Sequence, residues 1–217
     1  PTWVPFCREL WSSAEQQQNY LPGVPEGSDL CITPVSAPEN HYVRIKADNR
    51  LDADGTLRGT FTLTAEGQSD SNIRRIFTTG FRSEWKNTME SQLLAISPKA
   101  KLLSVDYGKN PKDYQAAPIK ITFRYEIPDY ALKGEKEMFF RPLVMNNLYN
   151  QVRSYLRIDT SLKERKYGFK DGCSRLVELD ETIQLPAGYK LANADKNKTM
   201  QGTGADFEGS LAQQGNK

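Results

Sequence analysis

From Tyr42 onward the chain alternates apolar and polar residues. In "YVRIKA" Val43, Ile45 and Ala47 alternate with Arg44 and Lys46. In "LRGTFTLTA" Leu57, Phe61, Leu63 and Ala65 face one way, and Arg58, Thr60, Thr62 and Thr64 the other. A period of two places successive side chains on opposite faces of a strand, so each run predicts a strand with one buried and one wet face. "LDADGTL" joins them, and Asp-Gly between alternating runs predicts a hairpin. Across residues 70–96 the period changes. Ile73, Ile76, Phe77, Phe81, Trp85, Met89 and Leu93 recur at helical spacing, and Thr78-Thr79-Gly80 predicts a split into two helices.

Strands then resume. "KLLSVDYG" is short and mixed, whereas "IKITFRYEI" sets Ile119, Ile121, Phe123, Tyr125 and Ile127 on one side. "EMFFRPL" and "YNQVRSYLRI" follow, and "RLVELDETIQL" lines up Val177, Leu179, Ile183 and Leu185 with Glu181 interrupting. "GADFEGSLAQQGNK" reads as a strand heading into a hairpin, with the return strand expected beyond the chain. Seven or eight strands without a βαβ rhythm predict a mainly β protein: an antiparallel immunoglobulin-like β-sandwich with a helical insert at about residues 71–96.

Residues 1–41 behave differently, holding six of the 12 prolines and no lasting periodicity. "RELWSSAEQQQNY" suits a short helix, while "PGVPEG" and "TPVSAPEN" read as extended linker, because proline fixes φ and restricts the residue before it. The division is therefore 1–41 as a linker and domain tail wrapping over a surface, and 42–217 as the sandwich. Trp3, Phe6 and Trp11 are expected to pack on a preceding domain or on the sandwich itself.

Charge narrows the functions. With 29 basic and 27 acidic side chains interspersed, the net charge of +2 gives no basic face for nucleic acid. No apolar run approaches a membrane span, so no transmembrane segment is expected. Cys7, Cys31 and Cys173 lack metal-ligand spacing, and His41 is the single histidine, so neither metal nor cofactor is assigned. Cys7 and Cys31 are either bridged, as an exported protein would allow, or separate thiols.

A cysteine nucleophile needs a nearby base and an orienting group. Cys7 with His41, and Glu39 or Asn40 beside it, is the one conceivable set, and it lies in the proline-rich segment rather than on a rigid element. Glu135 with Glu137, and Glu178 with Asp180, are spaced two apart on expected strands and so share a face, as paired carboxylates for sugar hydrolysis would. Polar alternation on a wet face produces the same spacing. Asp52 to Gly55 resembles the start of a calcium loop but lacks the remaining ligands. Leu162 to Lys170 mixes bases with Tyr167 and Phe169, which suits an anionic glycan, a partner or a plain charged loop. Asn197-Lys198-Thr199 is a formal glycosylation sequon. No catalytic residue is assigned.

The runs "LDADGTLRGTFTLTAEGQSDSNIRR", "APIKITFRYEIPDYA", "FFRPL", "VRSYLRIDTS" and "ETIQLPAGYKL" together resemble a family: the domain of unknown function that follows the transglutaminase-like core in large exported bacterial proteins. The shared pattern is an apolar-Asp-x-x-Gly-x-apolar hairpin, a glycine after its second strand and an arginine entering a helix, over roughly residues 42–211. "TWVPFCRELW" is similar to the end of that core, with Trp3 in its last strand. Val4 and Pro5 stand where the family's triad aspartate would be sought, so no catalytic residue carries over. The resemblance implies a non-catalytic accessory or interaction domain of a periplasmic or cell-surface protein. Its partners would be the upstream core in the same chain and a protein or glycan ligand. The alternatives are a carbohydrate-binding module using Tyr107, Tyr114, Tyr130, Tyr167 or Tyr189, and a cysteine hydrolase using Cys7 and His41.

Overall fold

The computed structural model describes residues 16–113, 118–144, 161, 163–164, 166–168, 173–192 and 196–215. Two short strands, β1 (Asn19–Tyr20) and β2 (Cys31–Ile32), pair as a small antiparallel ribbon. The main sheet follows: β3 (Tyr42–Leu51), β4 (Leu57–Ala65), β5 (Lys101–Asp106), β6 (Ile119–Ile127) and, after a pair of two-residue strands, β7 (Leu132–Lys133) and β8 (Met138–Phe139), the long β9 (Leu176–Gln184). Its order is β5-β6-β4-β3-β9. Helices α1 (Gly67–Thr79) and α2 (Trp85–Leu94) sit between β4 and β5 in sequence. A second ribbon pairs β10 (Lys196–Met200) with β11 (Phe207–Leu211).

The protein is mainly β with two helices, as the alternation predicts, but the expected two facing sheets are not what closes the core. Among the described residues the five-stranded sheet carries its apolar face against the helices. Val43, Ile45, Leu51, Phe61, Ile121, Phe123 and Tyr125 share one buried cluster with Ile73 and Phe77 of α1 and Trp85, Met89 and Leu93 of α2. Phe61 and Phe123 sit directly opposite on β4 and β6, their rings stacked at 4.3 Å. The opposite face carries Arg44, Lys46, Thr60, Thr62, Thr64, Lys120 and Arg124, none of them buried. A sandwich would set a second sheet where α1 and α2 pack here, and the charged face would be turned to solvent in either arrangement. One sheet with helices on one side is the result.

Two further expectations change. β9 joins β3 in parallel, in register from Tyr42↔Leu176 to Arg50↔Gln184, so the sheet is mixed rather than wholly antiparallel. Phe81, placed on the helical stripe, is 76% exposed, because it falls in the break after Gly80 where the helical register is lost. β11 pairs with β10, which precedes it. The predicted strand over "YNQVRSYLRI" lies outside the described residues.

Two devices lock the layers. Asp70 and Arg74, one turn apart on α1, form an ion pair at 2.6 Å with side chains 0% and 2% exposed. The second Asp70 oxygen accepts the Ile119 N–H at 2.6 Å, and Arg74 Nη1 donates to Pro111 O at 3.0 Å and Asp113 O at 2.9 Å. One helix thereby fixes the first residue of β6 and the loop before it.

Gly67 supplies the second. It enters α1 at φ +61°, and a Cβ there would overlap Asn40 O and His41 Nδ1. Gly67→Ala is therefore expected to lower stability by about 2–3 kcal/mol through backbone strain and displaced neighbours. Gly23→Ala, at a position with nothing within 4 Å, is expected to be nearly neutral. Urea denaturation of the two variants checks the contrast.

Candidate functional site

His41 ends a tight 3-10 turn over Pro38–His41 and is wholly buried. Its Nδ1 accepts the Gln68 N–H at 3.2 Å, and its Nε2 lies 2.8 Å from Ser36 Oγ. Because Nδ1 is accepting, the proton sits on Nε2, which donates to Ser36. A serine-activating histidine needs the opposite arrangement, with Nδ1–H donating to an orienting acceptor and Nε2 free to take the hydroxyl proton. Ser36 is itself fully buried, and its N–H is received by Gln16 Oε1 at 3.0 Å. Ser69 Oγ completes the tie by donating to His41 O at 2.8 Å. The histidine is a fastener between residues 16–41 and the start of α1. Cys7 lies outside the described residues, and Cys31 is a free thiol whose Sγ is 3.7 Å from Asp29 O.

The carboxylate pairs do not converge. Glu135 and Glu137 fall in the turn between β7 and β8 rather than on a strand, both exposed. Glu178 is paired with Arg44 on the wet face, and Asp180 stands opposite Lys46 in register. Asp52 is bound by Arg50 and Arg58, while Asp54 Oδ1 receives the Thr56 N–H at 2.9 Å, so the Asp52 to Gly55 stretch spends its oxygens on the hairpin. Asn197 is exposed on β10. Among the described residues no group of three or more His, Cys, Asp or Glu is placed to hold a metal, and no helix is long and apolar enough to cross a membrane.

Glu181, visible in the sequence only as an interruption of an apolar face, is the carboxylate that matters most to the interior. It accepts Asn49 Nδ2 at 2.8 Å, Leu143 N–H at 3.1 Å and Val144 N–H at 2.9 Å. Tyr125 OH donates to the Asn49 oxygen, which lies across Gly59 of the neighbouring strand. Burial raises the Glu181 carboxyl above the ordinary glutamate value, against the opposing pull of these three donors.

The aromatic residues divide similarly. Tyr130 donates its hydroxyl to Arg141 O, Tyr167 is exposed beneath Lys166 Nζ at 5.5 Å, Tyr189 is partly buried, and Tyr114 and Phe169 lie outside the described residues. Tyr107 packs edge-on against Trp85 at 5.5 Å and Phe77 at 5.7 Å. Here the β5–β6 loop meets the start of α2 and leaves a cleft of about 300 Å³, lined by Arg82, Trp85, Tyr107, Gly108, Lys109 and Pro111. Trp85 Nε1 and Tyr107 OH are buried with no hydrogen-bond partner among the described residues. Each such orphan costs about 1–3 kcal/mol. Helical spacing places Trp85 in the core stripe and Tyr107 stands among the candidate platforms; no local signal joins two residues 22 positions apart.

Comparison with family models, with curated proteins and with solved structures finds no match to this chain.

Glu181 generates a two-part prediction. Glu181→Ala strands three buried donors and is expected to lower stability by about 3 kcal/mol. The raised carboxyl means that the folded state holds the proton more tightly than the unfolded state. Its stabilising contribution is thus present below the ordinary glutamate value and lost as pH rises through the raised one. Glu181→Gln removes that titration, so the stability of Glu181→Gln relative to wild type should rise across this window, as urea midpoints at stepped pH will record.

Proposed function

We propose that this chain is a non-catalytic interaction domain of a multidomain, exported bacterial protein with a transglutaminase-like core, and that it docks against that core. The reading places it in the periplasm or at the cell surface. One contrast within residues 16–41 carries it. Ser36 and His41 are wholly buried against the sheet domain, whereas Leu21, Leu30, Ile32 and Val35 are each more than half exposed. The segment is fastened on one side and offers apolar side chains on the other, the form expected of a surface that a partner covers. Polar groups of the interior support the same reading: His41, Glu181, Asp70 and Arg74 are engaged with backbone atoms, which suits positioning rather than turnover. The glycan alternative draws less support, since Tyr107 packs on Trp85, Tyr130 is tied to Arg141 O and Tyr189 is partly buried.

Hydrogen exchange compared between the isolated chain and the parent protein tests the proposal. The amides of Tyr20–Val35 are expected to gain protection in the parent, and Ile32→Asp to remove that gain. Equal exchange in both contexts would count against docking. Peptide or ester hydrolysis by the isolated chain that disappears in His41→Ala would replace it with the hydrolase reading.

A further inference from the structure

Beyond docking, we propose that the cleft between α2 and the β5–β6 loop binds a small carboxylate carried on a flat, apolar ring. Three features select that chemistry. First, the polar groups without partners at the wall are the Trp85 indole N–H, donor only, and the Tyr107 hydroxyl. Trp85 is 5% exposed, and buried polar atoms of folded proteins are rarely left unpaired. An acceptor brought by a ligand satisfies the indole.

Second, the charge around the cleft is net positive. Arg82 and Lys109 both line the cleft, and neither forms an ion pair among the described residues. Lys112 adds a third cation, its Nζ 5.8 Å from the Trp85 ring centroid, with Gly80 O as its hydrogen-bond partner at 3.3 Å. Asp106 is the one acidic residue of the lining, and its Oδ1 already accepts the Gly108 N–H at 2.9 Å. The field at the cleft therefore favours an anion. Third, Trp85, Tyr107, Val105 and Pro111 contribute apolar surface to a lining that is otherwise polar, and about 300 Å³ suits one ring with a short substituent.

Arg82 and Lys112 lie near the Trp85 ring, at 5.9 and 5.8 Å from its centroid. Arg82 is exposed on a flexible stem, so an entering carboxylate draws the guanidinium off the ring into a charge-assisted hydrogen bond and uncovers the indole.

The indole ¹H–¹⁵N resonance of Trp85, assigned by its loss in Trp85→Phe, reports directly on this wall. Titration with benzoate is expected to move it saturably, while benzamide, the same ring without the charge, and glucuronate, a charge on a puckered polar ring, move it little. The double variant Arg82→Ala/Lys109→Ala changes two exposed side chains and should weaken benzoate at least about tenfold with the rest of the spectrum unchanged. No benzoate shift, an equal shift with benzamide, or unaltered affinity in the double variant would overturn the assignment. Glucuronate binding as well as benzoate would overturn the apolar-ring part. None of these results bears on protection of Tyr20–Val35, so the cleft and the docking surface fail separately.

Discussion

The buried ion pair of Asp70 and Arg74 is the interaction on which the remaining architecture depends. A charged pair with essentially no solvent contact is tolerable only when its remaining hydrogen-bonding capacity is used. Here backbone atoms use it: the Ile119 N–H at the head of β6, and the carbonyls of Pro111 and Asp113. Replacing the pair by apolar side chains would leave those backbone groups without partners, so the pair is fixed by what it holds. It sets where β6 begins and where the preceding loop turns. Pro111, gripped by Arg74, also lines the cleft beside α2, which links the interior of the fold to that surface.

A common logic runs through the other buried polar groups. His41 ties the N-terminal segment to the entrance of α1, and Glu181 ties the edge strand β9 to Asn49 of β3 and to the backbone at Leu143 and Val144. Each joins pieces of chain that are remote in sequence by supplying acceptors to donors that would otherwise be orphaned. The wet face of the sheet works by a weaker rule. Its ion pairs, among them Arg58 with Glu126 at 2.9 Å and Lys101 with Glu126 at 3.3 Å, are solvent-screened and keep that face soluble more than they stabilise it.

What the sequence discloses follows from the range of the physics involved. Strict alternation in Ile119–Ile127 and Leu57–Ala65, and Asp-Gly between β3 and β4, are local, and the strands and the hairpin stand where they predict. The break at Gly80 is equally local and divides α1 from α2. Alternation says which face is apolar but not what covers it, so a second sheet and a pair of helices look alike from the strands alone. Parallel pairing of β9 with β3 joins residues more than 130 positions apart and leaves no mark in either strand. Glu181 is legible as an anomaly, and its partners are not. His41 reads as a linker residue because nothing nearby in sequence reveals Ser36 and Gln68 closing around it.

The most direct test is a double-mutant cycle on the ion pair, measuring unfolding free energy for Asp70→Asn, Arg74→Met and the two combined. A buried pair that organises the loop and β6 predicts strongly non-additive losses, with a coupling of about 3 kcal/mol. Additive losses, or single variants as stable as the parent, would contradict the role assigned to it.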